Sequence, residues 1–285
     1  MTNRDNSARF AAPGSDVSQE TQEETQDAVS IPGGLHFVAP TELVELPSKG
    51  LLYPEGHPLH KQEEIEIKLM TAKEEDILVN KSLLKKGVAL DRMLQSIIVN
   101  KKIKLDDLLV SDKNALIIAT RVSAYGAEYN AQATCPNCGV ANEYSFDLEE
   151  KELKYLYEHT REDIRIAENG NFLVTLPRTK MEVEFRLLRG FDEKRLLEKN
   201  KKNKGIIALT DQFNAFIVSV NGVTDRQKLS DFITVMPAYD SKYLRLAYAE
   251  VLPAVDLKQY FECSECDHSQ DMEVPFTVEF FWPRS

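Results

Sequence analysis

Leu43-Val44-Glu45-Leu46-Pro47-Ser48-Lys49 returns 130 residues later as Leu173-Val174-Thr175-Leu176-Pro177-Arg178-Thr179. Four more pairs follow in the same order. Glu64-Ile65-Glu66-Ile67-Lys68-Leu69 is echoed by Glu182-Val183-Glu184-Phe185-Arg186-Leu187, and Lys86-Gly87-Val88-Ala89-Leu90 by Lys204-Gly205-Ile206-Ile207-Ala208-Leu209. Ile97-Ile98-Val99-Asn100 matches Ile217-Val218-Ser219-Val220-Asn221, and Cys135-Pro136-Asn137-Cys138 matches Cys263-Ser264-Glu265-Cys266. The offset drifts from 130 to 118 and back to 128, but the order never changes. One short match is chance, whereas five in register argue for an internal duplication. The main departure is an extra loop in the first copy, Leu51-Leu52-Tyr53-Pro54-Glu55-Gly56-His57-Pro58, where Pro and Gly enforce turns.

Each copy reads as strand, helices, strand, CxxC, strand, which is an α+β pattern. Thr71 followed by Glu74 is a capping box that opens a helix. Gly87 breaks the chain, and Leu90, Met93, Leu94, Ile97 and Ile98 then share one helical face. A third helix begins near Asp112, with Leu116, Ile117, Ala119 and Val122 as its apolar stripe. Counterparts are expected at 191–200, 209–220 and 238–251. The link at about 149–172 reads as a helix followed by a hairpin at Asn169-Gly170. Three regions result: an arm over 1–34, too polar to offset the entropy of ordering it, a first unit over 35–150, and a linker plus second unit over 151–285.

The four cysteines form two CxxC pairs with none left over: Cys135 and Cys138, Cys263 and Cys266. No apolar leader is visible, and in a reducing compartment such pairs bind metal or do redox chemistry rather than form structural disulfides. A CxxC turn sets two thiolates on one side of a tetrahedral ion. Alternating strand residues follow each pair, Tyr144, Phe146 and Leu148 in one copy and Met272, Val274 and Phe276 in the other. That is the two-knuckle signature of a zinc ribbon, with one knuckle per copy and one structural Zn2+ between them. A dithiol redox site is the alternative, though thioredoxin-like chemistry places its CxxC at a helix start, not before a strand. His268 and Glu265 lie nearby, but four thiolates already close the zinc shell, and His268 reads as a loop residue.

Nothing else in the chain announces catalysis: no phosphate-cradling loop, nucleophile elbow or helical HExxH occurs, so a non-enzymatic role is expected. The net charge of −11 opposes binding to nucleic acid, and no run of about 18 apolar residues suggests a membrane span. Lys199, Lys201, Lys202 and Lys204, with Lys85 and Lys86 in the first copy, read as solvated loops or as contacts for an acidic partner. The apolar Phe280-Phe281-Trp282-Pro283 packs either on the protein itself or on a partner.

Residues 46–54, Leu-Pro-Ser-Lys-Gly-Leu-Leu-Tyr-Pro, together with Glu64 to Leu69, Thr71 to Asp76 and the helix pair over Leu83 to Ile98, resemble the T4-like (T-even-type) phage baseplate hub assembly family. The likeness is best over residues 40–150 and looser in the second copy. It implies a late phage protein that helps build the hub of a contractile tail, as an assembly chaperone or as a component retained in the virion. Its partners would be baseplate hub proteins, and its place the host cytoplasm during assembly and then the virion baseplate; the duplication, which often replaces a homodimer, points to a monomer before assembly. A zinc-ribbon nucleic-acid or transcription-associated module is the competing reading.

Overall fold

The computed structural model describes residues 29–31, 35–37, 40–157, 161–202, 208–274 and 278–281. The chain divides into Met1–Ala39 and Pro40–Ser285. In the first part, β1 (Val29–Ile31) pairs antiparallel with β2 (Leu35–Phe37), Ser30 facing His36. The arm expected over 1–34 otherwise lies outside the described residues; within it, Val29–Ile31 is a strand.

In Pro40–Ser285, β3 (Thr41–Glu45) pairs antiparallel with β4 (Glu64–Lys68). Alternation turns Val44, Ile65 and Ile67 into the core. The helices follow. In α1 (Ala72–Val79) the expected capping box is present, with the Thr71 N–H donating to the Glu74 carboxylate at 3.2 Å. The Asn80 side chain accepts from Ser82 and Leu83 to start α2 (Lys81–Lys86), and Gly87 ends it in the left-handed region, φ 71°. The apolar face of α3 (Ala89–Ile97) buries Met93, Leu94 and Ile97. The long α4 (Val110–Tyr125) starts two residues before Asp112 and buries Ala115, Leu116 and Ile118.

Next come the hairpin β5 (Glu128–Thr134) with β6 (Ala141–Asp147), then β7 (Glu152–Lys154) and β8 (Ile164–Ile166). The helix expected in the link is absent from its described residues. Glu149 to Lys154 are adequate helix formers, but β7 is recruited as the partner of a strand 100 positions away, and tertiary pairing overrides local preference. The expected Asn169-Gly170 turn is present, with Gly170 at φ 81° joining β8 to β9 (Phe172–Thr175). A four-stranded sheet runs β11-β10-β9-β8, where β10 is Glu182–Phe185 and β11 is Ile217–Val220.

Around it lie α5 (Gly190–Lys202), α6 (Leu209–Phe216), α7 (Arg226–Val235) and α8 (Ala238–Val251). The stretch expected as one helix over 209–220 is α6 running into β11. No expectation covered α7, which Asp225 caps by accepting from the Lys228 N–H. The chain finishes with β12 (Ala254–Asp256) on β7, the hairpin β13 (Lys258–Glu262) with β14 (Ser269–Glu273), and a 3-10 turn at Val278–Phe281. One apolar cluster joins the two halves, from Leu46 and Ile97 to Phe172, Phe185 and Phe261.

The two stretches quoted at the outset occupy like places. Leu43 faces Glu66 and Val44 faces Ile65 across one hairpin; Leu173 faces Glu184 and Val174 faces Val183 across the other. Leu46 and Leu176 are fully buried. The turn after Leu46 is held by Asp112, the third residue of α4, which accepts from the Ser48 N–H at 3.0 Å. The turn after Leu176 is held by Asp240, the third residue of α8, which accepts from Arg178 N–H at 2.8 Å and Thr179 N–H at 2.9 Å. Tyr53, from the loop over 51–58, donates its hydroxyl to Asp112 at 2.7 Å and accepts from the Leu109 N–H at 3.0 Å. Arg189 clamps that loop, donating to Leu52 O at 3.1 Å with its guanidinium over the Tyr53 ring.

Candidate metal centre

Both CxxC segments are hairpin tips. In the first, the Cys135 N–H donates to Val140 O at 2.9 Å and Gly139 takes φ 74°; in the second, the Cys263 N–H donates to His268 O at 2.9 Å and Asp267 takes φ 51°. Such a tight, left-handed turn points both sulfurs of a tip to one side. The tips meet face to face. Cys135 Sγ lies 3.7 Å from Cys266 Sγ, Cys138 Sγ lies 3.6 Å from Cys263 Sγ, and one sulfur from each cysteine gives a set within 4.8 Å of one another. Among the described residues no other group of His, Cys, Asp or Glu gathers this closely.

Four ligands at a Zn–S distance of about 2.3 Å in a tetrahedron lie about 3.8 Å apart, so the spacing of these thiols suits one tetrahedral ion. The charge balance points the same way. The Glu265 N–H, donating at 3.5 Å, brings the Cys263 thiol down to about 6. At Cys138 the Val140 N–H favours the thiolate, but desolvation and the other three sulfurs outweigh it and push the thiol up to about 12. One thiolate forms readily and a second is resisted, because desolvation and the hydrogen bonds among the sulfurs keep the Cys138 proton in place. A divalent cation removes that conflict.

The surroundings add detail that the sequence reading missed. The Asn142 side chain, on β6, reaches across to the other tip: its Nδ2 lies 3.7 Å from Cys263 Sγ and its Oδ1 accepts from Ser264 Oγ at 2.7 Å. Asn137 Nδ2 lies 3.5 Å from Cys266 Sγ. These amide contacts orient sulfurs from outside the ligand set. Only the repeat alignment could have hinted at Asn142, which corresponds to Gln270, a residue beside His268 Nε2 at 3.4 Å rather than beside a sulfur. His268 is half-buried and stands outside the sulfur cluster.

Below the tips the two hairpins are fastened together. Tyr144 Oη donates to Tyr260 O at 2.7 Å, its ring packs on Phe261, and the Asp147 N–H donates to Gln259 Oε1 at 3.0 Å. Phe280 and Phe281 are buried; Phe280 packs edge-on against Tyr129 at 5.1 Å, and its carbonyl accepts from Arg121 Nε at 2.7 Å. The apolar end therefore packs on the protein itself through these two rings, while Trp282 and Pro283 lie outside the described residues. Of the basic run, Lys199 pairs with Asp211 at 2.8 Å, and Lys204 lies outside the described residues.

No helix among the described residues is long and apolar enough to cross a membrane. No curated protein and no solved structure matches the chain. A family model described as T4 bacteriophage base plate protein matches residues 41–282, most of the chain and both cysteine pairs. The chain therefore belongs to the T4 bacteriophage base plate protein family.

Proposed function

We propose that this baseplate protein is a non-enzymatic hub assembly factor or hub component, working through contacts with other hub proteins around one structural zinc ion. The observation that carries the metal is the set of four sulfurs, two from each hairpin tip, at tetrahedral spacing. Bound there, zinc would neutralise the thiolates and clip together segments separated by more than 120 residues of chain. Cys135, Cys138, Cys263 and Cys266 would fill its shell, leaving no open position for a substrate, which favours a structural over a catalytic ion.

The internal duplication belongs to the same reading, with copies over 35–150 and 151–285. Its support is the matched hairpin registers, the aspartate at the third position of α4 and of α8, and the paired left-handed turns at Gly139 and Asp267. A chain that carries both halves of a pseudo-dimer needs no second copy, so it works as a monomer until it meets its partners. It would act in the host cytoplasm during assembly and then in the virion baseplate. The nucleic-acid reading draws only on the ribbon-like tips and is opposed by the net charge of −11.

Native mass spectrometry of the purified chain, before and after chelation, tests the metal. One zinc per chain is expected, and its removal should lower the unfolding midpoint by more than about 10 °C. A metal-free chain with reactive thiols, or with a disulfide between the tips, would overturn the zinc reading.

A further inference from the structure

The hairpin of β3 and β4 has one edge that is not paired. Leu46 donates to Glu63 O at 2.7 Å and Pro40 O accepts from Leu69 at 3.0 Å, so the even-numbered residues of β3 face β4. Antiparallel alternation then turns the N–H and C=O groups of Thr41, Leu43 and Glu45 the other way. Among the described residues no hydrogen bond reaches these backbone groups; the edge closes just beyond them, where Pro47 O accepts from the Leu156 N–H at 3.0 Å and Tyr155 Oη donates to the Glu45 carboxylate at 2.6 Å. In the second copy the matching edge of β9 is covered: β8 lies along it with Arg165 opposite Leu173, and Ala167 donates to Asn171 O at 2.8 Å.

Beside the open edge runs a groove of about 290 Å³. Ala115, Ile118 and Ala119 of α4 line it together with Lys151, Leu153 of β7 and Val255 of β12, and the alanines leave it room. Glu42, on the inner face of β3, has a carboxylate oxygen buried there with no hydrogen-bond partner. A carboxylate oxygen taken out of water without a donor is costly, and a free strand edge is a template for another chain.

We propose that the β3 edge takes an extended segment of another baseplate protein, added as an antiparallel strand. Its inward side chains would be apolar opposite Val44 and a lysine or arginine opposite Glu42. The edge supplies the backbone pairing, the groove receives alternate side chains, and the unpartnered carboxylate selects a cation. The strongly acidic chain favours a basic segment as well. This deepens the assembly role proposed above and rests on it for the partner's identity, but not on the zinc, so metal content and strand addition fail separately.

The test uses hydrogen exchange on the full chain. The probe is a synthetic peptide with the sequence of residues 161–167 carrying Ile166→Lys; in the register of β8 on β9 it sets Ile164 opposite Val44 and the lysine opposite Glu42. In the free chain the Leu43 and Glu45 amides should exchange far faster than those of Val44 and Leu46. Peptide at about 1 mM should slow them by about tenfold or more, and the unaltered peptide should do so less well. Leu43→Pro removes an outward N–H without touching a β3–β4 bond, so it should leave the unfolding midpoint near that of the parent and abolish the protection of Glu45. Slow Leu43 and Glu45 amides in the free chain would mean the edge is already filled, and that result overturns the proposal. So does an absence of slowing by the lysine peptide, or slowing that survives Leu43→Pro.

Discussion

Asp112 and Asp240 stand at the same position of two helices, each beneath a Leu-Pro turn, yet their surroundings differ. Asp240 accepts two backbone amides from an exposed turn. Burial alone would raise its carboxyl, but those amides outweigh it and hold the group below the ordinary carboxylate range. Asp112 receives one amide and two hydroxyls, from Ser48 at 2.6 Å and Tyr53 at 2.7 Å, under the loop over 51–58, which has no counterpart beside Asp240. There burial wins and the carboxyl is pushed above its usual range. The loop over 51–58 thus turns a local turn-to-helix tie into a buried polar network.

Truncation should separate the two sites most clearly. Asp112→Ala strands the Ser48 amide and leaves the Ser48 and Tyr53 hydroxyls only the bonds they accept from Gly50 and Leu109, all away from water. A loss of about 3–4 kcal/mol in urea unfolding is expected. Asp240→Ala frees two amides that the adjoining solvent can reach, and the loss should be about 1–2 kcal/mol by the same measurement. Equal losses would show that the loop adds nothing to the first site.

The smallest effect is one of sign. The raised Asp112 carboxyl contributes stability that is complete below its unfolded value, about 3.9, and is lost as pH climbs through its folded value. The depressed Asp240 carboxyl contributes stability above its unfolded value, lost as pH falls through its folded one. The stability difference between the parent and Asp112→Asn should therefore shrink from pH 4 upward, whereas that between the parent and Asp240→Asn should grow. Parallel slopes in unfolding titrations from pH 3 to pH 7 would contradict the assigned directions.

These contrasts also mark where sequence reading stops. The cysteine cluster was legible because a CxxC turn is a local object and a second CxxC offered its distant partner. The β3–β4 hairpin and α3 were legible because alternation and a 3.6-residue stripe are written in consecutive residues. The strand β7 was not: its pairing with β12 depends on residues 100 positions on, and its own composition suits a helix. The helix α7 carries a weaker pattern, and no earlier stretch of the sequence resembles it to draw attention to it. Asn142 looks like any strand asparagine until the second tip arrives to face it. Asp112 was legible as a helix start, but its link to Tyr53 is a property of the folded loop.

The pairing between tips has a consequence for how the protein is made. Arg121 and the Phe280 carbonyl it holds are 159 residues apart, and Cys135 meets a sulfur 131 residues further on. While the ribosome is still producing the second half, the first hairpin has two thiols of a four-thiol set and no covering aromatic rings. Contacts of such long sequence separation form late and slow folding. The stretch that closes the first hairpin is therefore made well after it, so a chain cut short between the two leaves that surface open.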